Sequence, residues 1–459
     1  MNRIFDITQF GAVCGDALQT AAIQSAIDAC FAAGGGEVIV PAGTFLTGGI
    51  RLRSGVALHL LAGAVLRGSR DPQDYFAYRS DPVQPLAPAQ LTDALYTPPS
   101  MRMTTSYEES KPEFDFLRVA GSRWNNAVIR AFDAEDIAII GEEGSFIDGS
   151  NTFDELGEEH YRGPHAITFF DCTNVRLQGY TVRDSANWAH NLRRCENVRM
   201  QGVTVLAGHD GIHASECSNL TVRDCAFYTG DDCVAGFSNV NVLVENCVLN
   251  SSCSAMRFGG TNVLVCGCEV YGPGRYLFRG SLTPEEKKSG VLSANNGHRT
   301  NMLSFFTYYA DYSLPVTRQP GNIIIRDCRV RMADRLLHYN FSGNEPWQRQ
   351  CPLADITFEN ITAEDIAMPL SLYGAPEQPV RFTMRGCTLG ARQGTPPFPL
   401  IRACFHERIT LRDVCVGEGF NALVLARSSG ETVTENVCCP LPEQDWLQQT
   451  DEEFAIRPI

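Results

Sequence analysis

At 459 residues the chain exceeds the ~100–200 residues of an ordinary single core, leaving either several domains or one elongated repeat. Apolar residues make up 44% and charged residues 20%, which permits a packed core and excludes wholesale disorder. The 38 basic and 53 acidic residues give a net charge of −15; this disfavours nucleic acid and anionic membranes as partners, and an acidic substrate would need a local basic pocket.

The amino terminus, MNRIFDITQFGAVCGD, has no basic start followed by an apolar stretch, so no secretory leader is expected and a cytoplasmic location is. Nor does any run of about 18 apolar residues point to a membrane span. The 18 cysteines are too sparse for a small disulfide scaffold and show no C-x-x-C pairs at zinc spacing, so they are read as reduced, buried apolar residues. From Thr20 to Phe31 the residues Ile23, Ile27, Cys30 and Phe31 recur at helical spacing, and Gly34-Gly35-Gly36 stops the pattern. This predicts a short amphipathic helix capping one end of the molecule, within an amino-terminal cap over 1–70. Residues 71–116, rich in Pro, Ser and Tyr, then break the rhythm as a long loop insertion beside a cleft.

A repeat follows. TNVRLQGYTV, ENVRMQGVTV, SNLTVRDCAF, VNVLVENCVL and TNVLVCGCEV each carry Asn before a strand-like alternation. The asparagines Asn174, Asn197, Asn219, Asn241 and Asn262 are separated by 23, 22, 22 and 21 residues, and Cys225, Cys247 and Cys268 by 22 and 21. A second insertion, 278–320, contains FFTYYADY, whose tyrosines Tyr308, Tyr309 and Tyr312 are read as loop packing or as a cleft wall. Looser copies return at Gly321, Ala354, Pro379 and Glu407, and the polar tail from Pro440 is expected along the outside.

A period near 22 with strand alternation marks a solenoid whose coils bury their apolar faces only by stacking. Leucine-rich repeats need a consensus that is missing here, and propeller blades need about 40 residues each. The fold class expected is an all-β solenoid: a single-stranded right-handed parallel β-helix over 1–459 with a short amino-terminal capping helix. The Asn and Cys columns are expected to point inward, Asn bonding turn backbones and Cys filling the core.

Such a coil turns sequence distance into vertical stacking at ~4.8 Å per coil. Asp210 plus 22 is Asp232, His209 plus 22 is Asp231, and a further 22 gives Cys253 and Ser254. Another 21 reaches Arg275, and one coil earlier lies Trp188, so these eight residues are expected to form one patch. Gly230-Asp231-Asp232 alone would be read as a turn. Stacked on a second aspartate, it reads as a catalytic cluster in which repulsion keeps a proton on one carboxyl, as a general acid beside a base requires. Glycoside hydrolysis uses such a pair.

Here the sequence resembles glycoside hydrolase family 28, the polygalacturonase family of pectin-cleaving β-helix enzymes. The resemblance runs through FDITQFGAVCGD, AAIQSAIDAC, GGGEVIVPAGTFLTGGI, LHLLAGAVLRGS, DIAIIGEEGSFIDGS and the run around TGDDCVAG. It implies Asp231 as general acid, Asp210 and Asp232 as the base holding the attacking water, and inversion of configuration. Of the family's Asn-Thr-Asp only Asp210 matches, within Gly208-His209-Asp210, while its Gly-Asp-Asp matches fully. Its Gly-His-Gly falls at Ser252-Cys253-Ser254, so Cys253 stands in the place of the histidine. Its Arg-Ile-Lys, which grips a galacturonate carboxylate, has no counterpart; Arg257, Arg275 and Arg279 are the substitutes considered, since the planar guanidinium suits carboxylates.

The candidate site is therefore Asp210, Asp231 and Asp232 as catalytic residues, with His209, Arg275, Arg257, Trp188, Cys253, Ser254 and Arg279 binding substrate. His165, His190 and His213 are read as structural. Cys253 is not read as a nucleophile, because nearby carboxylates raise a thiol's pKa. No metal and no cofactor are expected; three aspartates supply few of the ligands a calcium ion takes. The reading is a glycoside hydrolase of a pectic or other plant-type oligosaccharide, with long loops closing one end of the cleft for exo action. A lyase or epimerase on the same fold, or a glycan-binding β-helix without activity, are the alternatives.

Overall fold

The computed structural model describes residues 3–75, 125–308, 320–342, 352–428 and 430–454. Residues 76–116 of the first predicted insertion, and Tyr309 and Tyr312 of the second, lie outside the described residues.

The described strands form two parallel sheets, of 25 and 13 strands, wrapped as three faces of a prism. Each coil contributes a strand to every face. The long sheet supplies two faces, and the strands Val234–Glu245 and Ser254–Cys266 bend from one into the other. Files of apolar side chains fill the interior. One runs Val175, Val198, Leu220, Val242, Val263, Ile323 and Ile356, each paired with the next. Another runs Val182, Val205, Phe227, Leu249, Val270 and Val330 on the 13-stranded sheet. All are at most 3% exposed, so burial is made between coils rather than within one.

The capping helix forms as Thr20–Ala32 and buries Ile23, Ala26, Ile27 and Cys30 against the first coil. Phe31 departs from expectation. It is 47% exposed, and the Arg53 guanidinium lies 5.8 Å over its ring. Cys225, Cys247, Cys268 and Cys328 form a buried file of free thiols, as the column predicts.

The asparagine column corrects the sequence reading. Asn174, Asn197, Asn219, Asn241 and Asn262 are exposed, and each has a φ of 55–58°. Their amides bond one another up the outside of the stack, at 3.1 Å from Asn197 to Asn174, 3.0 Å from Asn219 to Asn197 and 3.0 Å from Asn241 to Asn219. Asparagine recurs there because it tolerates the left-handed turn conformation that each coil repeats. Asn219→Ala should therefore destabilise the protein by about 2–3 kcal/mol, from lost amide bonds and a strained Cβ. Asn219→Gly, which relieves the strain, should cost less. Denaturant midpoints of the two variants test this ordering.

Tyr308 is a core residue rather than a cleft wall. It is 3% exposed, its ring lies 5.6 Å from Tyr339, and its hydroxyl donates to the Pro352 carbonyl at 2.8 Å. The tail lies along the outside and is docked there: Leu447–Gln449 pairs with Phe420–Ala426, and Phe454 stacks on Tyr373.

Candidate active site

The acids occupy the corner where each coil passes from the 13-stranded sheet onto one face of the long sheet. Strand Thr204–Ala207 leads through Gly208-His209-Asp210-Gly211 into Ile212–Ser215. One coil later, Ala226–Thr229 leads through Gly230-Asp231-Asp232-Cys233 into Val234. Pairing on both sides of the corner keeps the offset at 22, with Thr204 opposite Ala226 and Ile212 opposite Val234. The corners therefore stack without a bulge. A side chain on Gly208 would collide with Arg279, and one on Gly230 with the Leu277 carbonyl. Glycine is required at both because the inserted segment lies across these turns.

Asp210, Asp232 and Ser254 form one vertical file. The Asp232 amide donates to Asp210 Oδ1 at 3.2 Å, and the Ser254 amide donates to Asp232 Oδ1 at 3.0 Å. The second oxygen of Asp210 lies 3.0 Å from His213 Nδ1. Asp210 and Asp232 are 4% and 2% exposed, whereas Asp231 is half-buried. The Asp231 carbonyl accepts from Thr229 Oγ1 and Ser251 Oγ, both at 2.7 Å, which fixes the turn beneath its carboxylate.

Electrostatics follow from this packing. Burial, then the charges of Asp231 and Asp232, hold the Asp210 carboxyl well above the usual range. Burial and the Asp231 carboxylate push Asp232 up to about 7. The half-buried Arg257 opposes both shifts. Near neutral pH the cluster thus keeps at least one proton. Burial, followed by Asp232 and Asp231, raises the Cys253 thiol far above its ordinary value, so it is no nucleophile. Burial first, then neighbouring arginines, keeps His209 and His213 neutral.

Asp231, Asp232 and Cys253 place their ligand atoms within 4.8 Å of one another, the single such set among the described residues. Two carboxylates and a protonated thiol do not provide the six to eight oxygens that calcium takes.

Trp188 lies where the stacking placed it. Its ring is 3.8 Å from the His213 ring at an interplanar angle of 8°, and His165 packs 5.3 Å away on it. Buried His209 stacks at 5.8 Å on Tyr161, and neither of its ring nitrogens has a hydrogen-bond partner among the described residues. Arg257 follows His213 by two coils in the same outward file, through Ala235.

Arg275 and Arg279 are not in the patch. Strand Ser254–Cys266 pairs next with Met302–Tyr308, Ser254 opposite Ser304, so the coil after Ser254 is reached only past the insertion. Arg275 instead lies exposed in the segment that leaves the stack after strand Glu269–Tyr271, its guanidinium 5.4 Å over Tyr228. Arg279 is buried behind the turns, bonding Asn151 Oδ1 at 2.9 Å and lying 5.6 Å over Tyr161. Both line a separate groove of about 1120 Å³ with Arg67, Arg183 and Lys287.

His213, read as structural, contacts the acid file directly through Asp210. Its signal was the Asp-x-x-His spacing, which carries the chain from the corner onto the strand and turns the ring back to Asp210. His190 is structural, bonded to the Tyr180 hydroxyl at 3.0 Å and to the Gly211 carbonyl at 2.8 Å.

The fold and the site together define a parallel β-helix with acids stacked on one face. Residues 102–254 match the family described as glycosyl hydrolases family 28. A probable polygalacturonase of Vitis vinifera is 27% identical over 242 residues, 50% of this chain and 43% of that protein. An exo-poly-alpha-D-galacturonosidase of Dickeya chrysanthemi is 45% identical over 96 residues, 20% of this chain and 16% of that protein. The chain thus spans less than half the length of these curated relatives. The solved structure of a hyperthermoactive exopolygalacturonase from Thermotoga maritima covers 90% of this chain and 92% of its own, with a TM-score of 0.63 and 17% identity. That likeness establishes the right-handed β-helix fold. Over residues 102–254, which include all three aspartates, the chain is thus similar to the glycosyl hydrolases of family 28.

Proposed function

We propose that the protein is a glycoside hydrolase acting on a pectic oligosaccharide, with Asp210, Asp231 and Asp232 as its acid and base groups. The observation that carries this reading is the hydrogen-bonded file of Asp210 and Asp232 beside Asp231, with Asp232 pushed up to about 7. Such a cluster holds a proton and a carboxylate side by side at working pH. The names of the Dickeya chrysanthemi and Thermotoga maritima relatives support galacturonide chemistry and exo action.

In this mechanism the proton held in the cluster passes from Asp232 or Asp210 to Asp231, the member with the most solvent access, which delivers it to the glycosidic oxygen as its bond to the anomeric carbon breaks and leaves an ionised carboxylate beneath. Water attacks that carbon from the opposite side, and its proton passes to Asp232 or Asp210. One displacement gives inversion. The neutral His213 holds Asp210 in place through its second oxygen. Trp188, packed against His165 and His213, forms part of the wall of the site, and Arg257 takes the carboxylate in place of the family's Arg-Ile-Lys.

The test is a panel of pectic and hemicellulosic oligosaccharides followed by anomer-resolved NMR. Release of single terminal sugars with inverted configuration is expected. No release from any substrate would remove the hydrolase reading, and an unsaturated ultraviolet-absorbing end would replace it with a lyase.

A further inference from the structure

The face that carries the acids continues well beyond them. Its outward file runs Arg257, Thr307, His338, Ser371 and Arg402, each paired with the next. Arg257 and His338 are two coils apart, as are His338 and Arg402, so each interval is ~10 Å. Arg335, on the strand of His338, reaches into this file. Its Nη1 lies 2.9 Å from His338 Nδ1 and donates to Ser371 Oγ at 3.2 Å.

Arg335 and Arg402 are half-buried, and neither has a carboxylate partner among the described residues. Their neighbours differ. Arg381, Arg385, Arg392 and Arg408 pair with Glu407, Glu359, Asp334 and Glu431. The one carboxylate beside Arg335 in sequence, Asp334, is turned to Arg392 at 3.0 Å. Arg402 Nε is buried with no hydrogen-bond partner among the described residues, and its guanidinium lies 5.9 Å over Phe454. Tyr373, 7% exposed and stacked on Phe454, closes the same spot. Two cations drawn partly out of water without a counter-charge are unfavourable in the free protein, and a bound anion reverses that balance.

We propose that Arg335 and Arg402, framed by His338, Ser371 and Tyr373, form a distal subsite for the carboxylates of an acidic oligosaccharide. The site lies three to five coils beyond Asp232, or ~14–24 Å along the face. A pyranose unit spans roughly one coil, so the subsite engages uronates several units from the bond to be cleaved. The substrate is then an acidic chain rather than a short neutral fragment. This inference rests on the pectic reading above but addresses binding, not cleavage.

The experiment is calorimetric titration of the full chain with galacturonate oligomers of increasing length, for the wild type, Arg335→Gln, Arg402→Gln and the double variant. The double variant should weaken long oligomers on the order of 10-fold to 100-fold and leave the dimer within about twofold. Arg335→Lys should retain part of the affinity, and melting temperatures should not fall, since an unpaired charge is removed. Equal losses at every length, no loss for long oligomers, or equally tight binding of carboxyl-reduced or sulfated oligomers would overturn the subsite. So would a wild type that binds no galacturonate oligomer. Length-dependent binding without any turnover would leave the subsite standing and remove the hydrolase reading instead.

Discussion

Asp231→Asn should lower turnover on the best natural substrate by a factor on the order of 10³, with little change in KM. Asparagine keeps the shape of the side chain and of the turn, whose fixed points are the hydrogen bonds to the Asp231 carbonyl. What it removes is the transferable proton. The loss should therefore depend on the leaving group. An aryl glycoside whose phenolate leaves readily needs no protonation, so Asp231→Asn should recover most of its rate on that substrate. Asp210→Asn should not, because water activation is needed whatever leaves. Equal rate losses on natural and aryl substrates would show that Asp231 is not the proton donor. Full retention of activity would remove the carboxylate cluster from the mechanism.

A second large effect concerns stability. Asp232 has its proton held to about 7 in the folded chain, against an ordinary carboxyl value of 3.8. Between these values the folded state binds more protons than the unfolded state, so stability falls as pH rises from about 4 to about 7 and is level above that. The penalty at pH 8 is on the order of a few kcal/mol, with Asp210 adding in the same direction. Asp232→Asn should thus raise the melting temperature at pH 8 and leave it nearly unchanged at pH 4. Its oxygen can still accept from the Ser254 amide, which limits the structural cost. A lower melting temperature at pH 8 would mean that the carboxylate charge is compensated in the folded protein. Loss of turnover alongside the gain in stability is the signature of a site strained for chemistry.

The two variants separate what the acids do from how they are held. The third stacked position, Ser254, accepts no proton; its amide anchors Asp232. Cys253 stands where the family resemblance puts a histidine, and its protonated thiol cannot act as an imidazole does. His213, on a neighbouring strand position, supplies the ring that contacts Asp210 instead.

Much of this arrangement was legible in the linear sequence, for a definite reason. In a coil of constant length, equal intervals become vertical neighbours, so the 22-residue offset alone put Asp210 over Asp232 and Asp232 over Ser254. The buried cysteine file and the capping helix were readable on the same basis, because spacing and apolar pattern are local properties. Direction was not. The asparagine file has the right spacing but faces outward, since a period reports stacking and says nothing about which way a side chain points at a left-handed turn. Nor does a period survive an insertion. Ser254 is followed in its file by Ser304 and then by Arg335, intervals of 50 and 31, so Arg275 fell outside the patch and Arg335 entered the face unannounced. Residue spacing alone dictates that this chain stacks and which residues lie above one another while the rhythm holds. Which rungs meet across an insertion, and which arginines lie without a carboxylate among the described residues, depends on contacts between segments whose separation along the chain carries no geometric information.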